Sequence, residues 1–155
     1  YSRVTGVQTC ALPISFGDYY GTYRAMQKAL EAGKVRAIGL SNFVDARFVD
    51  LVENMEVKPA VLQLETHVFS QQKRMRELMA PYGTRLMAWA PLAEGRNGIF
   101  THPTLMAIGA KYGKTAAQTA LRFLMAEDVI AILKSVHRER LVENFSIDDF
   151  EISAE

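Results

Sequence analysis

Four short apolar runs, at residues 35–40, 59–64, 85–90 and 129–133, constrain the fold of this chain more than any other feature. Between them lie segments whose apolar residues recur at helical spacing, bounded by Gly or by Ser and Thr in capping positions. Strands separated by helices at intervals of about 25 to 40 residues imply parallel βαβ units with right-handed crossovers. The runs 35–40 and 129–133 show no strict alternation of apolar and polar residues, as expected of strands covered on both faces. One α/β layer system follows.

In chain order, residues 23–32 form a helix closed by Gly33, with Met26, Ala29 and Leu30 on its buried face. After the first strand, Ser41 and Asn42 read as loop and helix cap, and a second helix over 44–55 carries the stripe Phe48, Leu51, Val52 and Met55. Gln63 stands near the end of the second strand. A third helix over 71–82, with Met75, Leu78 and Met79 inward, ends at Gly83. The third strand leads into the most Gly-rich loop of the chain, residues 91–98, and long loops in compact domains tend to be functional. A helix over 103–112 carries Leu105, Met106 and Ile108. Thr115 and Gln118 then have the spacing of a capping box, opening a helix to about residue 126. After the fourth strand come Lys134 and Ser135, then a helix whose Leu141, Val142 and Phe145 recur at helical spacing.

The 155 residues, 49% hydrophobic and 23% charged, have the composition of one ordinary globular domain. A net charge of +1 gives no electrostatic case for nucleic acid or an acidic membrane, so any anion must be bound locally. No apolar run reaches the ~18 residues of a membrane span, and the first residues lack the charged start and apolar core of a signal peptide. The single cysteine, Cys10, excludes a disulfide framework or a Cys-rich zinc site.

In parallel α/β folds the ligand sits at the carboxyl ends of the strands. Those positions here are Ser41 and Asn42, Gln63, Trp89, and Lys134 with Ser135. Asn and Gln amides can orient a carboxamide, and a Trp face can carry an aromatic ring. Lys134, Ser135 and Arg140 around a helix N-terminus are the parts that hold a phosphate monoester. Each also has a plainer role: Asn42 as a cap, Gln63 satisfying backbone, Trp89 as core, and the cations as solvated surface. Glu65 and His67 have the spacing of an acid/base pair on one side of an extended chain. His102 and His137 lie in loops without metal-ligand spacing, and no carboxylate pair suggests hydrolysis.

The run Lys134-Ser-Val-x-x-x-Arg140-x-x-Glu143-Asn144 resembles the adenosine 2′-phosphate and adenine site of the aldo-keto reductases, which follows the eighth strand of their (β/α)8 barrel. Residues 33–43 (Gly-Lys-Val-Arg-Ala-Ile-Gly-Leu-Ser-Asn-Phe), 62–67 (Leu-Gln-Leu-Glu-Thr-His) and 88–95 (Ala-Trp-Ala-Pro-Leu-Ala-Glu-Gly) resemble the family's fifth, sixth and seventh strand ends, in the family's order. The third of these is similar to the bacterial branch that includes diketogluconate-type reductases. A complete barrel takes about 250 residues, so the resemblance implies half of a TIM barrel, four βα units equivalent to strands 5 to 8. Residues 1–15 fall outside it and resemble a translated sequencing-library adapter, which leaves 16–155 as the half-barrel.

The resemblance implies NADP(H) as cofactor. Ser41, Asn42 and Gln63 would hold the nicotinamide carboxamide, and Trp89 would stack on the nicotinamide ring. Ala90 and Leu92 would contribute around the pyrophosphate. Lys134, Ser135 and Arg140 would bind the 2′-phosphate, with Glu143 and Asn144 at the adenine. Trp89 replaces the family's usual Tyr, Ala90 its Ser, and Leu133 its Pro. The family's corresponding residues make Glu65 and His67 structural. Its catalytic Asp, Tyr, Lys and His all precede the part matched here, and Tyr19, Tyr20 and Tyr23 match no catalytic motif. The resemblance therefore implies a cytoplasmic oxidoreductase acting on small carbonyl compounds, of which this chain is the cofactor-binding part and inactive alone. The other expectation, from a different class, is a non-catalytic half-barrel that binds a dinucleotide or self-associates through exposed strand edges.

Overall fold

The computed structural model describes residues 18–153, which divide into two compact units: residues 18–64 with 73–85, and residues 65–72 with 86–153. The adapter-like segment at 1–15, and Cys10 with it, lies outside the described residues.

The first unit contains α1 (Tyr19–Glu31), β1 (Gly39–Ser41), α2 (Ala46–Asn54), β2 (Val61–Glu65, of which Glu65 belongs to the second unit) and α3 (Lys73–Met79), the last running into a 3-10 turn at Ala80–Tyr82. α1 starts four residues before the expected position because the Asp18 carboxylate accepts the Gly21 N–H at 2.6 Å. It buries Tyr23 and Gln27, while Met26, Ala29 and Leu30 stay half-buried. The Tyr23 hydroxyl donates to the Val57 carbonyl at 3.0 Å, which satisfies the one polar atom of a ring that is 1% exposed. β1 and β2 pair in parallel with Ser41 opposite Gln63. Gly39 permits that pairing: a Cβ there would stand 2.6 Å from the Val61 side chain and 2.7 Å from its carbonyl oxygen. Phe48, Leu51, Val52 and Met55 are all buried, as their spacing predicts.

The cap of α2 differs from expectation. Asp45, not Ser41 or Asn42, precedes its first residue, and Asp45 makes no side-chain capping bond. β1 is correspondingly short and late, three residues ending at Ser41 where the apolar run suggested 35–40. Only Ile38 and Leu40 of that run are buried; Arg36 and Ala37 are exposed.

The second unit contains β3 (Arg85–Trp89, of which Arg85 belongs to the first unit), α4 (Pro103–Ala110), α5 (Ala116–Ala126), β4 (Ile130–Ala131) and α6 (Arg138–Phe145). β3 and β4 are parallel, with Ala88 opposite Ala131. The capping box opens α5 as predicted: Thr115 Oγ1 accepts the Gln118 N–H at 3.2 Å, and Gln118 Oε1 accepts the Thr115 N–H at 3.0 Å. Ala116 and Ala120 of α5 join Ala93, Ile99 and Leu105 in one apolar cluster, and Leu121 joins Ile147 and Phe150 in another. Gly109 lets the corner between α4 and α5 close, since a Cβ there would meet the Lys114 carbonyl oxygen at 2.4 Å. Met106 is exposed, and so are the apolar residues whose spacing marks α6 as a helix: Leu141, Val142 and Phe145 all face solvent, Phe145 at 87%. The architecture is α/β on parallel strands, and no helix among the described residues is long and apolar enough to cross a membrane.

Candidate cofactor site

In the first unit the parallel register sets Ser41, the end of β1, opposite Gln63, with Asn42 next in the chain. The Asn42 N–H donates to the Gln63 carbonyl at 2.9 Å, extending the pairing one residue past β1. Gln63 is buried in mid-strand, one residue farther from the strand end than sequence placed it, whereas Asn42 is exposed. Asn42 adopts a left-handed backbone, φ 56°. Asn is among the few side chains that tolerate this region, so the strand turns away there at little cost. The left-handed turn is what Asn42 does in place of capping α2.

In the second unit β3 ends at Trp89, whose carbonyl accepts the Thr66 N–H at 3.2 Å. Trp89 is half-buried, so one part of the indole remains accessible. Ala90 immediately takes a left-handed conformation, φ 50°, and its carbonyl accepts the Ala93 N–H at 2.8 Å. Ala93, Glu94 and Asn97 also have positive φ, which concentrates strained backbone in this one loop. Leu92 is half-buried and packs against both apolar clusters of the unit, anchoring the loop from below.

The Ile132 N–H donates to the Ala88 carbonyl at 3.1 Å, so β4 leaves the sheet beside the end of β3. Lys134 and Ser135 follow. Ser135 Oγ accepts the His137 N–H at 3.1 Å and turns the chain into α6, whose N-cap is His137. Lys134 and Arg140 are exposed, and neither has an ion-pair partner among the described residues. Glu143 and Asn144 are half-buried one turn further on, and Glu143 Oε1 accepts the Thr115 hydroxyl at 2.7 Å. Sequence reading confined Thr115 and Gln118 to the cap of α5; their bonds to α6 had no signal in spacing, because the spare donors of Gln118 could be aimed anywhere.

The remaining candidates have local tasks. His67 Nδ1 accepts the Phe69 N–H at 3.2 Å, and its Nε2 lies 3.5 Å from Glu65 Oε1. With one nitrogen accepting from backbone, the 6%-exposed imidazole carries its proton on Nε2 toward Glu65, a fixed structural pairing. Tyr19 and Tyr20 both donate to Asp50 Oδ2 at 2.5 Å. Those bonds raise both phenol pKa values and hold the Asp50 carboxyl low. Burial raises that of Tyr23. A tyrosine acting as acid needs its pKa moved the other way, toward the working pH. No group of three or more His, Cys, Asp or Glu side chains suited to a metal occurs among the described residues.

These strand-end residues now meet the comparisons with known proteins. The aldo/keto reductase family model matches residues 7–155, beginning within the segment that sequence reading set aside as adapter-like. The chain belongs to the aldo/keto reductase family. It is 39% identical over 137 residues to a glyoxal reductase of Bacillus subtilis (strain 168), covering 88% of this chain and 49% of that protein. The crystal structure of an aldo/keto reductase from Brucella melitensis superposes with a TM-score of 0.84 at 34% identity, over 92% of this chain and 54% of that one. The Bombyx mori aldo-keto reductase, solved in complex with NADP, has a TM-score of 0.81 at 31% identity, over 88% of this chain and 47% of that one. The chain spans about half the length of the curated relatives it matches. NADP(H) is the cofactor of the family's relatives, including an NADPH-dependent D-xylose reductase of Meyerozyma guilliermondii.

The residues present fit that cofactor. A 2′-phosphate monoester is a dianion, and Lys134 and Arg140 are two exposed cations that no carboxylate among the described residues neutralises.

Proposed function

We propose that this chain supplies the cofactor-binding half of an NADPH-dependent reductase that converts aldehydes and ketones to alcohols, equivalent to strands 5 to 8 of the family's barrel. The observation that carries the reading is the pair Lys134 and Arg140, exposed and without an ion-pair partner among the described residues, on either side of the N-terminus of a helix that follows a parallel strand. Arg140 would take the 2′-phosphate through paired N–H donors, Lys134 as a point charge, and Ser135 through its hydroxyl. Glu143 keeps Oε2 for the exocyclic amine of adenine while Oε1 stays with Thr115, and Asn144 offers its amide beside it. Ser41, Asn42 and Gln63 would orient the nicotinamide carboxamide, with Trp89 against the ring and Ala90 and Leu92 at the pyrophosphate.

Bound NADPH supplies the hydride for a carbonyl carbon; the proton for the carbonyl oxygen must come from elsewhere. Tyr19, Tyr20 and Tyr23 are weakened as acids, and on this reading the Asp, Tyr, Lys and His that serve this purpose in the family would be supplied by the family's first half-barrel and not by the residues matched here. On this reading the substrate is a small carbonyl compound and the protein works in the cytoplasm. The test is to join residues 16–155 to the first half of a relative such as the Bacillus subtilis glyoxal reductase. NADPH-dependent reduction of aldehydes is expected from the joined protein and none from the 155-residue chain. A folded joined protein that is inert across a broad aldehyde panel would overturn the reading.

A second reading, of a half-barrel that self-associates, is favoured by one observation: Ile132, Val136, Leu141, Val142 and Phe145 form a run of exposed apolar residues from the end of β4 through α6. On this second reading the contact would lie on a helix face more than on the strand edges expected from sequence. Sedimentation showing a monomer at high concentration would dismiss it.

A further inference from the structure

We infer that Gln118, with Thr115, is a positioning residue for the adenine and 2′-phosphate end of the cofactor site, acting through α6. The inference rests on the NADPH reading above and adds to it residues that lie on a different helix from the ligand contacts.

The observation begins with what does not hold α6. Not one of the eight residues of Arg138–Phe145 is buried, so apolar burial cannot fix where this helix lies. The chain is gripped just beyond it, by Ile147 and Phe150 in the cluster with Leu121. Between those anchors and the helix stands the side chain of Gln118, 7% exposed. Its amide nitrogen donates to the Glu143 carbonyl at 3.1 Å, which also accepts the Ser146 N–H at 3.1 Å, and to the Ser146 carbonyl at 2.9 Å at the C-cap of the helix. Its oxygen accepts the Thr115 N–H at 3.0 Å. Every donor of this amide and one acceptor site are thus used, and each bond to α6 starts from the rigid first turn of α5. Thr115 completes the clamp by donating its hydroxyl to Glu143 Oε1 while accepting the Gln118 N–H.

The consequence is geometric. Glu143 is one of the two residues proposed to meet adenine, and Arg140 lies one turn before it on the same helix. Both its backbone carbonyl and its carboxylate are tied to α5. The clamp sets the depth and rotation of α6 at this end, which α6 cannot set by packing, and leaves Arg140 exposed and Asn144 half-buried. A capping box therefore doubles as the mount for a ligand-binding helix.

The test uses Gln118→Glu in the 155-residue chain. The new carboxylate can still accept the Thr115 N–H, so the cap of α5 survives, but both donors to α6 are lost. NADPH affinity, read by calorimetry, is expected to fall about tenfold, the change that two lost neutral hydrogen bonds produce. Amide hydrogen exchange is expected to quicken across 138–146 and not across 116–126. Thr115→Ser, which keeps the hydroxyl, is expected to retain affinity. A Gln118→Glu chain that melts at a lower temperature yet binds NADPH as the unsubstituted chain does would overturn the inference and leave the cofactor reading standing. Absence of NADPH binding in the unsubstituted chain overturns the cofactor reading, and this inference falls with it.

Discussion

Helices α5 and α6 belong to the same unit and differ by three residues in length, yet opposite means hold them in place. Seven of the eleven residues of α5 are buried and none of the eight of α6. α5 is a core helix: Ala116, Ala120, Leu121 and Leu124 remove apolar area from water, at about 25 cal/mol per Å². α6 is an outlying helix held at its C-terminal end by a polar clamp, and its Arg138 and Arg140 stay exposed, where they can meet an anion. What makes α5 dependable as a mount is what would make it useless as a phosphate site, and the division of labour follows from that.

The contrast can be broken most directly in the core. Leu121→Ala is expected to cost about 3 kcal/mol of unfolding free energy, since the side chain is wholly buried and leaves a cavity, whereas Phe145→Ala should stay within about 0.5 kcal/mol. Urea unfolding measures both, and similar losses at the two positions would mean that α6 packs as α5 does. Next in size, Arg140→Ala should weaken NADPH binding by about 2 kcal/mol, the worth of a charge-assisted hydrogen bond, and leave NADH binding nearly unchanged. Equal weakening of both cofactors would remove Arg140 from the 2′-phosphate.

Smaller again is the cap. Thr115→Ala is expected to cost about 1 kcal/mol in thermal or urea unfolding by removing the N-cap of α5, and it also releases Glu143. The smallest effect concerns the chain beyond α6, where Lys114 Nζ lies 2.7 Å from Asp149 and 3.2 Å from the Ser146 carbonyl. The Lys114 ammonium hydrogen-bonded to Asp149 holds that carboxyl below its ordinary value. A depressed carboxyl contributes stability above the unfolded pKa of about 3.9 and loses it as pH falls through the lower, folded value. Asp149→Asn should therefore shrink the stability difference between pH 6 and pH 3, seen as a flatter dependence of the unfolding midpoint on pH.

Sequence made the start of α5 legible because a capping box is local chemistry, and it found α6 as a helix from the spacing of Leu141, Val142 and Phe145, all three of which the structure leaves exposed. Period reports that a helix has an apolar side; it says nothing of whether anything covers that side. The start of α1 was missed because Asp18 caps it through a bond to Gly21 that a Tyr-rich entry gave no reason to expect. The first and fourth strands were drawn too long because an apolar run does not mark where a ladder begins: β1 covers only Gly39–Ser41 and β4 only Ile130–Ala131. The candidate site was better served, since strand ends follow from topology. Asn42, Trp89, Lys134 and Ser135 all stand at or just beyond such ends, with Gln63 two residues back from its own. The clamp from α5 was invisible, because contacts between residues 118 and 146 are set by tertiary structure alone.

The measurement to make first is a fluorescence titration of the 155-residue chain with NADPH and, separately, with NADH. Trp89 is the only tryptophan and ends the strand whose tip would meet the nicotinamide. Saturable quenching at lower concentrations of NADPH than of NADH is expected, from the indole beside the ring and from Lys134 and Arg140 on the 2′-phosphate. A folded chain whose Trp89 emission ignores both dinucleotides, or answers them equally, would contradict the assignment of a cofactor site to these residues.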